Sequence, residues 1–478
     1  MEKLLMFSVS KRCIFINPPY YMGDLFLIQN RMLKRFLNIC VVFFIFPFQL
    51  QAFTDIENNW YKDSITALQE QWIINGFENG TYLPNDTITR AEILKIIMNA
   101  ADIELEEVTE SCFSDVSVET WYAKYVCTGV KLWITKGYPD GSFDPQGTVT
   151  VLETLAFWVR AFNLDLSSLG EGTTWYQKYQ AFAHQKNIIP KHSYTTDTLI
   201  NRGRAADVIY RLQELQSGKN LNYLSPACDV EPSLKSGEYT LNIWGVKRKY
   251  LLYVPNNIEK WVTKWLIVAF HGRTNSNEEV RDYMKLGGGS YGSTNDQTDF
   301  IVAYPAGLGA GPYSWSQYEN IEFFDAVITQ VSEWLCIDRD KVFSVGHSLG
   351  SYMSNKVSCQ RGWVLRWMVG VASTWFDTDC SWPAASLILH LPNDHLSPYS
   401  SWERAYSLRS EKNLCSDTTR QIQLWDIQNC QQKTSCSLGN TVIFCNSYTP
   451  YLNDPHSWPK NGSDDILEFL KNIEMYTQ

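Results

Sequence analysis

The stretch VFSVGHSLGSYMSNKVSC, Val342–Cys359, decides how the second half of this 478-residue chain is read. A β-type run, Val342-Phe343-Ser344-Val345, meets Gly346-His347-Ser348-Leu349-Gly350, and an amphipathic stretch follows. The five central residues fit G-x-S-x-G in the strand–turn–helix setting that this pattern requires. In such a turn the central residue is strained, and a Cβ at either glycine position would crowd the neighbouring strand or helix. The serine oxygen then stands above the C-terminal end of the strand, near a helix N-terminus that favours developing negative charge. Ser348 is therefore the candidate nucleophile. A serine in an ordinary tight turn is the competing reading until a base and an acid are found.

Outward from this stretch, strands and helices alternate from Ser236 onward. GEYTLNIWG and KRKYLLYVP read as two antiparallel strands. KWLIVAF (Lys264–Phe270) and DFIVAYP (Asp299–Pro305) are continuous apolar runs of the kind found in buried parallel strands. NIEFFDAVITQVSEWL (Asn320–Leu335) has helical periodicity. WMVGVAS, SLILHLP and then QIQLWDI or TVIFCNS read as further strands, and DDILEFLKNIEMY as a final helix. The class expected over 236–478 is α/β, a doubly wound and mostly parallel sheet. Its site belongs at the C-terminal ends of the strands.

A base and an acid are sought in the order Ser…Asp…His. Asp394 follows the strand SLILHLP, and His456 lies in the loop ahead of the last helix. His456 would take the Ser348 proton and return it to the leaving group, while Asp394 fixes the imidazole tautomer and stabilises its cation. Asp377, Asp379, Asp417 and Asp426 compete with Asp394, and His390 and His395 lie near it. His347 sits inside the turn and cannot easily reach its own neighbour. Phe270-His271-Gly272-Arg273 ends an earlier strand, so the N–H of Arg273 or Gly272 and that of Leu349 are candidates for an oxyanion hole. His271 reads as a structural brace of that loop. Trp315 and Trp458 are candidates to line an acyl or sugar site, or else to pack the loops.

AFHGRTNSNEEVRDY, IVAYPAG with a following SW, FFDAVI, LCIDRDKVFSVGHSLG, NDHLSP and PHSWP occur in this order. Together they resemble the polyhydroxybutyrate depolymerase/feruloyl esterase group, over about Cys228–Gln478. The resemblance implies an α/β-hydrolase fold, secretion, and a triad at Ser348, Asp394 and His456. It also implies a cofactor-free carboxylic ester hydrolase acting on feruloyl or acetyl esters of polysaccharides, or on hydroxyalkanoate esters. Two positions depart from the group: Ala306 stands where Asp is usual, and Ser351 where many members have Gly. An amide-cleaving peptidase and a catalytically silent surface adhesion protein, with the hydrolase fold as scaffold, are the alternative functions.

The first half is repetitive. Phe53, Asp55, Trp60, Gly76, Gly80, Pro84 and Glu92 correspond to Phe113, Asp115, Trp121, Gly137, Gly141, Pro145 and Glu153, and a degraded third copy begins near Thr173. The copies span about 53–100, 112–162 and 173–215, each reading as helix–loop–helix, with Thr89 placed to cap a helix at Arg90. Residues 216–235 read as a polar linker, and Cys228 as a staple onto the next domain. F-x-D, the Trp-Tyr pair, the Gly-rich turns and ITRAE resemble S-layer homology repeats, which implies an all-α domain that binds cell-wall polymers. Asp55, Trp60 and Arg90 match the positions such repeats use around their ligand. The second copy has Val151 where the first has Arg90. A spacer role is the alternative.

Composition sets the compartment. Net charge is −10 with no basic stretch beyond Arg35, which disfavours nucleic acid as a partner. Lys34-Arg35 precedes FLNICVVFFIFPF, an apolar run of about 13 residues that suits an export signal and is short for a bilayer span. Cleavage after Leu50-Gln51-Ala52 would start the mature chain at Phe53, so 1–52 is the signal region and no stable transmembrane segment is expected after cleavage. Met32 is a possible initiator, and an uncleaved anchor is the other reading. Of 12 cysteines, Cys13 and Cys40 fall in this leader, and the even remainder suits disulfides outside the cytosol. Cys336 with Cys359, and Cys112 with Cys127, are the pairs expected. No cysteine or histidine cluster has metal-ligand spacing, so no metal is expected.

Overall fold

The computed structural model describes residues 52–167, 174–189, 198–219, 221, 224–256, 258–259, 262–273, 275–287, 299–308, 315, 320–373, 380 and 382–476. The expected signal region, apart from Ala52, lies outside them. None of the described helices is long and apolar enough to cross a membrane.

The first half forms helices α1 (Lys62–Glu70), α2 (Arg90–Ala100), α3 (Ala123–Lys131), α4 (Val151–Ala161), α5 (Gln177–Gln185) and α6 (Arg202–Gln216). The T-x-x-E sequence starts two of them. The Thr89 hydroxyl accepts from Glu92 N–H while the Glu92 carboxylate accepts from Thr89 N–H, and Thr150 and Glu153 repeat this reciprocal cap. In the third copy Asn201 caps α6 through Arg204 N–H. The F-x-D aspartates are also structural. Asp55 accepts the amides of Tyr82 and Leu83 at 2.8 and 2.7 Å, and Asp115 those of Phe143 and Asp144 at the same distances. A Cβ on Gly76 would lie 2.2 Å from the Phe53 ring, and one on Gly137 2.0 Å from Phe113, so both positions require glycine.

Isolated bridges join Thr89 to Thr148, Thr150 to Leu199, and Thr87 to Asn201. The first copy thus meets the second, the second the third, and the third returns to the first. The arginines stitch this ring. Arg90 donates to Phe143 O at 2.9 Å and to Glu153 at 3.0 Å; Arg202 donates to Tyr82 O at 2.8 Å and to Glu92 at 3.1 Å. The three residues matched above to wall-polymer binding thus all make contacts within the fold. Arg90 is 3 % exposed and committed to the next repeat. Asp55 holds two backbone amides. Trp60 is half-buried, its ring 4.3 Å beneath the Arg339 guanidinium, and its carbonyl accepts from the same side chain at 3.0 Å.

The second half holds β1 (Gly237–Ile243), β2 (Val246–Tyr253), β3 (Lys264–Phe270), β4 (Phe300–Pro305), β5 (Ile337–His347), β6 (Trp367–Val371), β7 (Ala385–Leu389), β8 (Thr419–Leu424), β9 (Ile427–Lys433) and β10 (Val442–Ser447). They form one sheet ordered β1-β2-β4-β3-β5-β6-β7-β10-β9-β8. The six strands from β4 to β10 along that order are parallel, and antiparallel pairs finish both edges. QIQLWDI and TVIFCNS are not alternatives: the first spans the β8–β9 hairpin and the second is β10. Every residue of β4, β6 and β7 is buried, which is why those segments read as unbroken apolar runs.

Helices α7 (Asn277–Met284), α8 (Asn320–Trp334), α9 (Leu349–Gln360), α10 (Tyr399–Lys412) and α11 (Gly462–Lys471) cover the sheet. Val280, Met284, Ile466 and Phe469 of α7 and α11 belong to the apolar cluster on one face. The cluster on the other face, with Val331 and Val357 of α8 and α9, continues into the core of the repeats.

The repeats dock along α8. Asp207 on α6 is buried among Ser64 at 2.8 Å, Arg211 at 3.1 Å and Arg339 at 3.8 Å, and Lys62 reaches Glu333 at 3.5 Å. Part of the expected linker also packs on the sheet: Ser225 exchanges backbone and side-chain hydrogen bonds with Ile337. Cys228, on the turn that follows, is thereby delivered to Cys336. The expected Cys336–Cys359 pair is corrected to Cys228–Cys336 and Cys359–Cys380. Cys359 meets Cys380 because the Trp382 amide binds the Cys359 carbonyl at 3.1 Å. Cys112–Cys127, Cys415–Cys436 and Cys430–Cys445 are also joined.

Arg90→Met should remove about 1–3 kcal/mol from the repeat ring, because Glu153 and the Phe143 carbonyl lose a buried donor. Thermal unfolding checks this; an unchanged melting temperature would contradict the stitching role.

Candidate active site

The elbow is built by backbone crowding. Ser348, between β5 and α9, has φ 53° and ψ −120°. A Cβ on Gly346 would lie 2.1 Å from Gly350 O, and one on Gly350 2.1 Å from Phe270 O. Both contacts are with main chain, which cannot swing aside. The Ser348 amide is pinned to Val371 O at 2.9 Å, and its carbonyl accepts from Ser351 at 2.9 Å.

His456 Nε2 lies 2.8 Å from Ser348 Oγ, and His456 Nδ1 lies 2.8 and 3.0 Å from the two Asp394 oxygens. Asp394 sits in the turn after β7, where its Oδ1 also accepts the amides of Leu396 at 2.9 Å and Ser397 at 3.0 Å. Burial pushes the Asp394 carboxyl up. The hydrogen bond and charge of His456, with the two amides, outweigh that and hold it below the usual range. The structure therefore brings three of the sequence-predicted residues into one hydrogen-bonded line. Among the competing aspartates, Asp417 approaches Lys433 and Asp426 accepts from Asn461 Nδ2. Asp377 and Asp379 lie outside the described residues. His390 contacts Ser397 O at 3.1 Å and so steadies the Asp394 turn, while His395 is exposed.

The sequence did not reveal what holds His456. His347 Nε2 donates to the His456 carbonyl at 2.6 Å, and Tyr283 donates its hydroxyl hydrogen to His347 Nδ1 at 3.1 Å. Burial pushes His347 down to about 4, so the ring is neutral with its proton on Nε2. His347, the first x of G-x-S-x-G, thus reaches across the elbow to the loop that carries His456. Tyr283 within NEEVRDY was the available signal, visible only once α7 is placed beside β5.

His271 braces the neighbouring loop. Its Nδ1 donates to Gly272 O at 2.7 Å, its Nε2 accepts from Gly307 N–H at 2.8 Å, and burial lowers it to about 4. Gly272 lies against Ser348: a Cβ there would be 3.4 Å from Ser348 Cβ. Arg273 is exposed, and Leu349 opens α9, where a helix N–H has no intrahelical acceptor. Trp315 and Trp458 do not line an open surface, which corrects that expectation. Trp315 is fully buried and donates to His271 O at 2.8 Å. Trp458 is 3 % exposed and packs near Tyr283 and His347. Among the described residues no group of three or more His, Cys, Asp or Glu is placed to hold a metal.

The chain is 30 % identical over 205 residues to probable feruloyl esterase C of Aspergillus oryzae, covering 41 % of this chain and 71 % of that protein. The chain belongs to the feruloyl esterase family. An S-layer homology domain model matches residues 52–94 and 113–150. Exoglucanase XynX of Acetivibrio thermocellus is 30 % identical over 179 residues, which is 34 % of this chain and 16 % of that protein. The chain thus spans only a minor share of that relative's length. Among solved structures, acetyl xylan esterase from Aspergillus awamori aligns with 49 % of this chain and 99 % of its own, at 16 % identity and a TM-score of 0.36.

Buried neutral histidines give a pH signature. With His347 and His271 held near 4 when folded, against 6.5 when free, the unfolded chain binds more protons between those values. Stability contributed here is complete above about 6.5 and is lost as pH falls toward 4. Melting temperatures across that range should fall with pH, and less steeply in His347→Gln. An equal slope in wild type and variant would contradict the neutral assignment.

Proposed function

We propose that the protein is an exported serine carboxylic ester hydrolase held at the cell wall through its repeats. The observation that carries this reading is the line Ser348 Oγ, His456, Asp394, with contacts of 2.8 Å at each step.

In this mechanism His456 takes the Ser348 proton as Oγ attacks the ester carbonyl carbon. The amides of Leu349 and of Arg273 or Gly272 receive the oxyanion, where fixed dipoles stabilise charge that appears only in the transition state. His456 then protonates the departing alcohol, and the acyl group stays on Ser348. Water, deprotonated by His456, attacks the acyl-enzyme, and the acid leaves with Ser348 regenerated. Asp394 remains ionised throughout and holds His456 in the Nδ1–H tautomer. The steps need no cofactor.

Feruloyl or acetyl esters on polysaccharides are the preferred substrate class, because family membership runs to feruloyl esterases; hydroxyalkanoate esters share the chemistry. The S-layer homology segments support wall attachment and, with the disulfides, an extracellular site. Wall contact is assigned to the faces that carry Trp121 and Trp175, 49 % and 59 % exposed, because the equivalent Trp60 is covered by the catalytic half.

Hydrolysis of methyl ferulate and p-nitrophenyl acetate tests the chemistry. Ser348→Ala should lose at least about a thousandfold in kcat. Equal rates in variant and wild type would remove Ser348, and a folded but inert wild type would favour a scaffold role. The wild-type protein should also sediment with purified cell walls; failure to do so would leave the repeats as a spacer.

A further inference from the structure

The docking of the two halves leaves a crevice of about 280 Å³ that the triad does not use. One wall belongs to the first repeat, with Asn58, Asn59, Asn85 and Asp86; the other belongs to the catalytic half, with Trp244 and Glu322. Neither half makes it alone.

Its rim is an aromatic ring with no structural return. Trp244 and Gly245 form the two-residue turn between β1 and β2, with φ 50° and 86°. Such turns favour Asn-Gly, since both residues need positive φ. Here a tryptophan takes the first position and stands 73 % exposed. On the facing wall Asn59 is 6 % exposed. Its Oδ1 accepts Tyr61 N–H at 2.9 Å, whereas its Nδ2 reaches Asn85 only at 3.5 Å, beyond a full-strength bond. A buried amide donor lining the crevice is therefore under-used.

The chemistry of the walls selects the ligand. Amides and carboxylates line the crevice, with no Lys or Arg among the described lining residues. No lining cation would receive an anion, and of the lining carboxylates Asp55 already holds two backbone amides, Glu57 pairs with Lys62 and Asp325 with Arg361, which leaves little free charge to select a cation. A purely apolar ligand would strip water from those groups and return no hydrogen bond. A neutral saccharide offers a C–H ring face to the indole and hydroxyls, both donors and acceptors, to the walls.

Position connects this crevice to the reaction. Tyr250 of β2 pairs with Pro305 at the C-terminal end of β4, so the Trp244 turn projects beyond the same end of the sheet as Ser348. Across the sheet four strand spacings separate β1 from β5, about 19 Å at about 4.8 Å each, and along the strands the turn stands a further five residues beyond Tyr250, roughly 17 Å at about 3.3 Å each. A glycan chain of several sugars spans that.

We propose that Trp244 and this crevice form an accessory saccharide subsite, which holds a neutral stretch of the polysaccharide whose ester Ser348 cleaves. The inference rests on the esterase reading for its substrate, and its binding test does not. Trp244→Asn installs the residue that the turn prefers, so the fold is kept and the melting temperature should hold or rise. Two measurements are made on the full protein. The first is calorimetric titration with an unsubstituted xylo-oligosaccharide. The second is kcat/KM on feruloylated arabinoxylan fragments beside methyl ferulate. Trp244→Asn should weaken oligosaccharide binding and lower kcat/KM on the fragments, each about tenfold, with methyl ferulate unchanged. Absent or Trp244-independent binding by wild type would overturn the subsite, as would equal losses on both esters. Trp244-dependent binding in a protein that cleaves no ester would support the subsite and defeat the esterase reading instead.

Discussion

The backbone of Ser348 is the constraint on which the site depends. A non-glycine residue at φ 53° and ψ −120° is unfavourable by about 1–3 kcal/mol and persists only where its surroundings over-determine it. Here they do. Gly346 packs on the α9 main chain, Gly350 on the end of β3, and the Ser348 amide is tied to β6. These contacts need β3, β5 and β6 side by side, which is the centre of the parallel sheet. The strain is thus held by the most buried part of the protein, and its product is an oxygen aimed away from the sheet toward His456.

His456 is positioned with comparable redundancy. Asp394 takes its Nδ1 side, Ser348 its Nε2 side, Asp454 its main-chain amide and His347 its main-chain carbonyl. Three neighbouring histidines, His271, His347 and His390, are all lowered by burial, and each is a hydrogen-bonding post for a loop of the site. Keeping cations away from His456 leaves Asp394 as the charge it faces at closest range.

Much of this was legible in the sequence because it is local. The elbow motif, the apolar runs of β3 and β4, the order of serine, aspartate and histidine, and the T-x-x-E caps each depend on neighbours along the chain. What escaped depends on docking. Arg90 reads as a ligand-facing arginine until the ring closes and Phe143 takes it. Trp60 reads as a ligand position until β5 arrives with Arg339. Cys336 and Cys359 sit at plausible ends of strand and helix, but the Ser225 turn and Trp382 bring other cysteines closer. Trp315 and Trp458 follow site loops in sequence yet turn inward to support them. The aromatic that does face solvent beside a crevice, Trp244, lies in a hairpin that no motif marks.

The central claim is that the elbow makes Ser348 a nucleophile. Its most direct test is covalent labelling of the folded protein with a fluorophosphonate, followed by peptide mapping by mass spectrometry. The account predicts one adduct, on the peptide that carries Ser348, with fluoride released and labelling slowed in Asp394→Asn. Label on a different serine, or none on a folded and stable protein, would contradict it.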